Sequence, residues 1–103
     1  MNFNEYQKKT GDTAEYNDAM YPITSLMAES AELADLFVKP YLRGDDKLPN
    51  PEEIISEAGD VLWNLARILD DEGISLQEVA EYNIGKLESR KERGLIKGNG
   101  GDR

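Results

Sequence analysis

The sequence predicts an all-α fold, with four helices forming a bundle-like domain that oligomerisation completes. Segments with apolar residues at the spacing of helical turns are bounded by helix start and stop signals. No run of alternating apolar and polar residues indicates a strand. The 103 residues are enough for one domain, 1–103, with a modest apolar core.

The first predicted helix is short and lies at the start of the chain. Asn2 or Asn4 is suited to cap it, because an asparagine side chain can accept a hydrogen bond from a free N–H of the first turn. The helix should end near Gly11. Residues 12–20 are polar and are expected to form a loop or a frayed helical extension.

The second predicted helix begins around Pro22, since proline fits the first turn of a helix. It runs to about Val38. Pro40 is expected to end or kink it, because proline removes a backbone donor and its ring clashes with the preceding turn. A polar loop, residues 43–49, follows.

The third predicted helix has the clearest start in the chain. Asn50 can cap it, Pro51 fits its first position, and two glutamates follow in the first turn, near the positive end of the helix dipole. The helix should continue to about Asp71 and stop at Gly73.

The fourth predicted helix starts with a capping box. Ser75 is the cap, and Glu78 lies three residues later, where its side chain can bond back to the cap backbone. The helix should end near Gly94. Residues 95–103 are rich in glycine and are predicted to be a loop or tail.

Two acidic pairs differ from the others in the chain. A chain with this acid content should contain roughly four acidic pairs spaced i, i+3 by chance, and six are present. At about 100° per residue, Glu29 and Glu57 fall within the apolar stripes of their helices. Glu32 and Asp60 lie at the edges of the same stripes. Carboxylates are costly to bury without a cation, so these four predict a metal site. The alternative is that both pairs are solvated helix faces.

The residue types restrict the metal. The chain contains no histidine and no cysteine, so it has neither imidazole nor thiolate ligands. Sites with only oxygen ligands favour Mg²⁺, Mn²⁺ or Ca²⁺.

The fourth helix directs polar residues towards its apolar side. Asn83 and Arg90 project into the stripe and Lys86 borders it. Phosphate oxygens are suitable partners, because arginine offers a planar fork and lysine a point charge. Alternatively, the two cations pair with the core carboxylates or extend outward to solvent.

The charge excludes one class of partner. A net charge of −9 argues against a nucleic-acid-binding surface. The charge is uneven, because residues 86–103 contain six basic residues and three acidic ones, a sum of about +3. The chain has no apolar run long enough to cross a membrane and no signal-peptide pattern, so a cytoplasmic location is expected.

These residues resemble a known family. Glu29-x-x-Glu32 and Glu57-x-x-Asp60, followed by Asn83-x-x-Lys86-Leu-x-x-Arg90, are similar to the MazG-like branch of the all-α nucleoside triphosphate pyrophosphohydrolases. The ending Arg-Gly-Leu-Ile-x-Gly-x-Gly-Gly-Asp, residues 93–102, is similar to that of phage and bacterial members. The resemblance covers roughly residues 20–103.

The resemblance implies a reaction and a site. Family members hydrolyse NTPs or dNTPs to a monophosphate and pyrophosphate, and they act as homodimers or homotetramers. The resemblance implies that four acids bind Mg²⁺, with Mn²⁺ as a second candidate, and carry out catalysis. It also implies that three further residues contact the substrate phosphates. The acids are Glu29, Glu32, Glu57 and Asp60, and the phosphate-binding residues are Asn83, Lys86 and Arg90.

Some alternatives stay open at this point. The chain could instead be a non-catalytic, metal-stabilised helical interaction module. Trp63 lies opposite the apolar stripe of its helix, where a single copy would expose it unless it is partly covered. An exposed tryptophan there would favour a twofold dimer. The sequence does not select a base or a sugar.

Overall fold

The computed structural model describes residues 1–94, and these form four α-helices without a strand. The all-α prediction is confirmed. The predicted tail, residues 95–103, lies outside the described residues. No helix within residues 1–94 has the length and apolar character needed to cross a membrane.

Helix α1 spans Phe3–Thr10. Of its two candidate caps, Asn2 fills the role, because its Oδ1 accepts a 2.9 Å hydrogen bond from the Glu5 N–H. A single 3₁₀ turn, Gly11–Thr13, follows. Residues 14–19 then lead irregularly into the next helix.

Helix α2 spans Met20–Arg43, so the predicted end near Val38 is wrong. The helix continues for three residues beyond Pro40, although the proline nitrogen cannot donate the hydrogen bond of that turn. Gly44 then ends the helix with φ 74°. The carbonyls of Pro40 and Tyr41 accept hydrogen bonds from the N–H groups of Asp45 and Gly44, at 2.9 and 3.1 Å.

Helices α3, Pro51–Asp71, and α4, Leu76–Glu92, have the predicted bounds. Asn50 caps α3 by accepting a 2.8 Å hydrogen bond from the Glu52 N–H. Ser75 and Glu78 form the predicted capping box, with bonds of 3.0 and 2.7 Å. Both helix starts could be predicted from the sequence, because a cap depends only on residues within one helical turn.

Helices α2 and α3 pack along each other as an antiparallel hairpin. Tyr21 at the start of α2 lies beside Trp63, late in α3, whereas Leu36 lies near Glu53 at the start of α3. Helix α1 packs across α3 and the beginning of α4. The seam between α2 and α3 therefore brings the two acidic pairs to the same level.

The interior depends on polar side chains as much as on apolar ones. Within the described residues, Ala66, Leu76 and Pro22 are the fully buried apolar side chains. Gln7 is also buried, and its amide donates to the carbonyls of Ile74 at 2.9 Å and Ala66 at 3.3 Å. Its carbonyl oxygen accepts a 2.9 Å hydrogen bond from the Leu76 N–H. One side chain thus joins α1, α3 and the start of α4.

Replacing Gln7 with alanine should destabilise the fold strongly. Gln7→Ala would remove the hydrogen-bond partners of the Leu76 N–H and the Ile74 carbonyl, at a cost of roughly 2–4 kcal/mol. Urea unfolding at fixed protein concentration measures this loss. The matched control is Gln77→Ala on the exposed side of α4, which should change the free energy of unfolding by less than about 0.5 kcal/mol. Equal effects in the two variants would contradict the role of Gln7.

Candidate active site

A cluster of carboxylates lies in the seam between α2 and α3. Glu29 comes from α2, and Glu57 and Asp60 come from α3. One carboxylate oxygen from each lies within 4.8 Å of the others. The antiparallel packing produces this arrangement, because it places the two i, i+3 pairs opposite each other. The three acids are close enough to bind one cation together.

Glu32, the fourth predicted acid, lies at the solvent-exposed edge of this cluster. Burial is the main cause that raises the pKa of Glu29, and the charge of Glu32 is the next. The pKa of Glu57 is raised by the same two causes in the same order. The structure therefore places all four acids close enough for their charges to interact.

Two oxygens of this cluster have no hydrogen-bond partner. Glu29 Oε2 and Glu57 Oε2 are both buried from solvent without a donor within reach in the described structure. An ionised carboxylate can only accept, so each oxygen needs a donor or a cation. The donor set is made only of oxygen, which suits a hard divalent ion such as Mg²⁺ or Mn²⁺. The residues therefore fit a metal.

Asn64 belongs to the same region, although sequence reasoning missed it. It is 3% exposed, and its Nδ2 donates a 2.9 Å hydrogen bond to the Asp60 carbonyl. Its Oδ1 is buried without a partner. A cavity of about 180 Å³ includes Asn64, Glu29 and Asp60 in its lining. The signal was present, since residue 64 falls angularly between 57 and 60 on α3.

Trp63 is half-buried and does not form an exposed apolar face. Its indole N–H donates a 2.8 Å hydrogen bond to Thr13 Oγ1. The Tyr16 ring meets it edge-on, with centroids 6.4 Å apart. Tyr16 in turn stacks on Tyr21 at 5.8 Å. The partly covered alternative is therefore correct, and Trp63 gives no support to a dimer.

These aromatic rings line a second, larger cavity. Its volume is about 590 Å³, and Tyr21 and Trp63 line both it and the carboxylate cavity. The segment 13–18, between α1 and α2, supplies the remaining lining residues. The polar segment for which the sequence predicts a loop or a frayed helical extension thus forms a wall beside the carboxylates.

The predicted phosphate-binding residues lie elsewhere in the described chain. Asn83 and Lys86 line a separate cavity of about 330 Å³ on α4, whose lining contains none of the four acids. Lys86 Nζ lies 5.9 Å from the centre of the Tyr82 ring. Arg90 is 9% exposed, and its Nη1 is buried without a partner among residues 1–94. Helix α4 packs against α1, and within residues 1–94 Asn83 and Lys86 line a cavity separate from the one that contains Glu29 and Asp60.

Comparison with known proteins identifies the family. Residues 21–95 match the MazG nucleotide pyrophosphohydrolase domain. The chain belongs to the MazG family. Its resemblance to that family is thereby confirmed, and its all-α architecture is the MazG fold. The family acts on nucleoside triphosphates and uses divalent metal ions.

A relative of this MazG domain is known from a bacteriophage. The chain is 34% identical over 115 residues to the "Gene 37 protein" of Mycobacterium phage L5, and the match covers 100% of both chains. No solved structure matches the chain.

Glu57→Gln should stabilise the metal-free protein at neutral pH. Because the pKa of Glu57 is raised in the folded state, the stability gained by protonating this group is fully present below about pH 4.3, the ordinary glutamate value. That stability is lost as the pH rises through the raised value. In EDTA at pH 7 the Tm of Glu57→Gln should exceed that of the parent chain. Mg²⁺ should then raise the Tm of the parent more than that of the variant.

The matched control for this charge removal is Glu81→Gln on the exposed surface of α4. It should leave both the Tm in EDTA and the Mg²⁺-dependent shift close to those of the parent. A parent chain whose Tm does not change at any Mg²⁺ concentration would contradict the metal site.

Proposed function

We propose that this MazG domain hydrolyses (deoxy)nucleoside triphosphates to the monophosphate and pyrophosphate in a Mg²⁺-dependent reaction. The observation that carries the proposal is the pair of buried, unpartnered oxygens on Glu29 and Glu57 in a cluster made only of carboxylates. Removal of unwanted nucleotides from the cytoplasmic pool is the proposed role.

The four acids divide into two groups by exposure. Glu29 and Glu57, half-buried in the seam, would hold the metal, with Asp60 and Glu32 completing the ligand set from the exposed edge. When bound, a divalent cation neutralises charge on the phosphate oxygens and favours ionisation of the attacking water. An exposed carboxylate, Glu32 or Asp60, would accept the proton of that water. No side-chain nucleophile is required, which fits a chain without histidine and cysteine.

We assign contacts with the substrate phosphates to Asn83, Lys86 and Arg90, as the family resemblance implies. Positive charge near the departing pyrophosphate would stabilise the transition state. Since α4 packs on α1 rather than on the α2–α3 seam, these residues would reach a carboxylate cluster only from a second copy or after α4 moves.

Assembly into a homodimer or homotetramer is proposed on a surface feature of α2. An apolar stripe runs along the side of α2 that faces away from α3. Its members fall within about 60° of one another at 100° per residue, and all are exposed: Met20, Ile23, Met27, Val38 and Tyr41. An exposed apolar patch of this length is typical of a surface that a protein partner covers, and most homo-oligomers are twofold symmetric.

The second candidate function is a non-catalytic, metal-stabilised interaction module. The position of Asn83 and Lys86 on a separate cavity favours it. Release of pyrophosphate from a mixed dNTP pool with Mg²⁺ decides between the two, since a binding module would release none.

Glu57→Gln should abolish turnover while leaving the helical content unchanged, because the amide cannot supply the negative charge that holds the cation. Pyrophosphate release at saturating Mg²⁺ measures turnover, and circular dichroism measures helicity. Glu81→Gln is the charge-matched control and should retain the parent rate. An undiminished rate in Glu57→Gln would refute the assignment of the acids.

Met27→Glu should separate the oligomer into single chains. Met27 is 73% exposed in one copy, so a charge there should be tolerated by the monomer but not in an apolar interface. Size-exclusion chromatography with light scattering measures the mass. Gln77→Glu, an added charge on α4 outside the stripe, should keep the parent mass. A monomeric parent chain would overturn the oligomer.

A further inference from the structure

We propose that Asn64 is a positioning residue of the carboxylate site, and that its amide oxygen accepts a hydrogen bond from a water molecule of the bound cation. The inference rests on the proposed Mg²⁺-dependent hydrolysis, which it deepens by adding a neutral oxygen to the four acids. It follows from the orientation of the amide, from the cavity that Asn64 lines, and from the hydrogen-bonding groups that this cavity contains.

The hydrogen bonding of Asn64 fixes which end of its amide is free. Nδ2 donates a 2.9 Å hydrogen bond to the backbone carbonyl of Asp60. A carbonyl oxygen only accepts, so the amide nitrogen has to face it and Oδ1 has to point the other way. Oδ1 is buried and has no donor within reach among residues 1–94. Since buried polar atoms are almost always hydrogen-bonded, this oxygen needs a partner that the described residues do not supply.

Asn64 lies at the boundary between the acids and the aromatic rings. It is 3% exposed, and it lines the cavity of about 180 Å³ together with Glu29, Asp60, Tyr21 and Trp63. It follows Asp60 by one helical turn, about 6 Å along α3. Side chains on a helix lean towards its N-terminus, so the side chain of Asn64 leans back towards the acids.

No group of the described cavity lining satisfies this oxygen. The lining contains no lysine or arginine, and the Trp63 N–H is already bonded to Thr13 Oγ1. Ser25 and Tyr21 also line the cavity, yet neither hydroxyl donates to Asn64 Oδ1. The cavity has room for several waters, because one water takes up about 30 Å³. A water molecule is therefore the partner that fits.

The acids determine what this water is bound to. Glu29 lines the same cavity, and its Oε2 is also buried and unpartnered within the described chain. A Mg²⁺ ion that carboxylates bind usually keeps several of its waters. A water on the cation uses a lone pair there, so both of its protons point away from the cation and need acceptors. Asn64 Oδ1 and the carboxylate of Asp60 are two acceptors that belong to this one cavity.

An amide suits this position better than another carboxylate would. Its oxygen accepts a hydrogen bond but is neutral, so it adds nothing to the repulsion among acids that lie within 4.8 Å of one another. It also does not take up a proton at neutral pH, so the proton of the attacking water is left to a carboxylate. Replacing a group that is hydrogen-bonded to a ligand of a metal typically weakens metal binding by about 10- to 100-fold.

Terbium(III) luminescence measures the effect on the cation without turnover. Tb³⁺ takes the same hard oxygen ligands, and Trp63, the only tryptophan in the chain, lines the cavity and can transfer excitation energy to the ion. Competition with Tb³⁺ gives the dissociation constant of Mg²⁺. In Asn64→Leu, which removes the acceptor at similar volume, that constant should rise by at least about tenfold. An unchanged constant would overturn the proposal.

Asn64→Asp separates the role of the oxygen from that of the nitrogen. An aspartate keeps an acceptor in this place but cannot donate to the Asp60 carbonyl. Its Mg²⁺ dissociation constant should therefore stay at or below that of the parent. Its Tm in EDTA should fall, because a further charge joins the acids. Equal weakening of Mg²⁺ binding in Asn64→Asp and Asn64→Leu would show that only the bond to the backbone matters, and would overturn the role of the oxygen.

The matched controls are Asn4→Leu and Asn4→Asp, because Asn4 is an exposed asparagine within α1. Both should keep the parent constant. Circular dichroism checks the helical content of every variant. Asn64→Ala also lacks the acceptor but adds no volume, so it decides the result if leucine disturbs the packing, and it should likewise weaken Mg²⁺ binding.

The lifetimes of Tb³⁺ luminescence in H₂O and D₂O count the waters on the ion. A contact through water predicts that this count does not increase in Asn64→Leu. A gain of one water would mean that Oδ1 is itself a ligand of the ion, and would overturn the contact through water.

Turnover assays keep this proposal apart from the proposed hydrolysis. Pyrophosphate release by the parent, together with equal Mg²⁺ constants in the parent and Asn64→Leu, would refute the role of Asn64 and leave the hydrolysis intact. Weaker Mg²⁺ binding in Asn64→Leu but not in Asn64→Asp, without pyrophosphate release by the parent, would support the role of Asn64 and refute the hydrolysis.

Discussion

Mutual repulsion among the carboxylates in the α2–α3 seam is the constraint around which the rest of the molecule is built. Glu29, Glu57 and Asp60 approach within 4.8 Å at their oxygens, and burial disfavours the charged forms of Glu29 and Glu57 and raises the pKa of each. Helices α2 and α3, which pack extensively on each other, therefore meet at a group of like charges. Contacts outside the seam have to hold the helices in place, and a bound cation would remove the conflict.

Hydrogen bonds from polar side chains, between residues far apart in the sequence, hold the helices together. Gln7 fixes α1 against α3 and α4 by three hydrogen bonds. Arg67 is buried, donates to Thr10 at 3.2 Å, and pairs with Asp70 at 3.2 Å. Buried polar groups with full partners specify one arrangement, because every alternative leaves some of them unsatisfied. A chain with so small an apolar core gains much of its structural definition from such groups.

What the sequence predicted well depends on short distances along the chain. The caps at Asn50 and Ser75 were readable because their partners lie two or three residues away. The end of α2 is not where Pro40 alone predicts it, because the left-handed Gly44, four residues later, ends the helix. The covering of Trp63 by Thr13 joins residues 50 positions apart, and no local pattern indicates such a contact. The angular positions of the acids on their helices were enough to predict the carboxylate cluster. The position of α4 relative to that cluster depends on how the helices pack, which the sequence pattern does not give.

Helix α2 presents two different surfaces on opposite sides. One side faces α3 and holds the acids, and the other side is the exposed stripe that contains Met27. Between them lies a narrow strip with Ala28, Asp35 and Lys39, where an exposed ion pair of 3.6 Å contributes little to stability. Under the proposed function and assembly, substitutions along this helix would be tolerated best in this strip of its circumference.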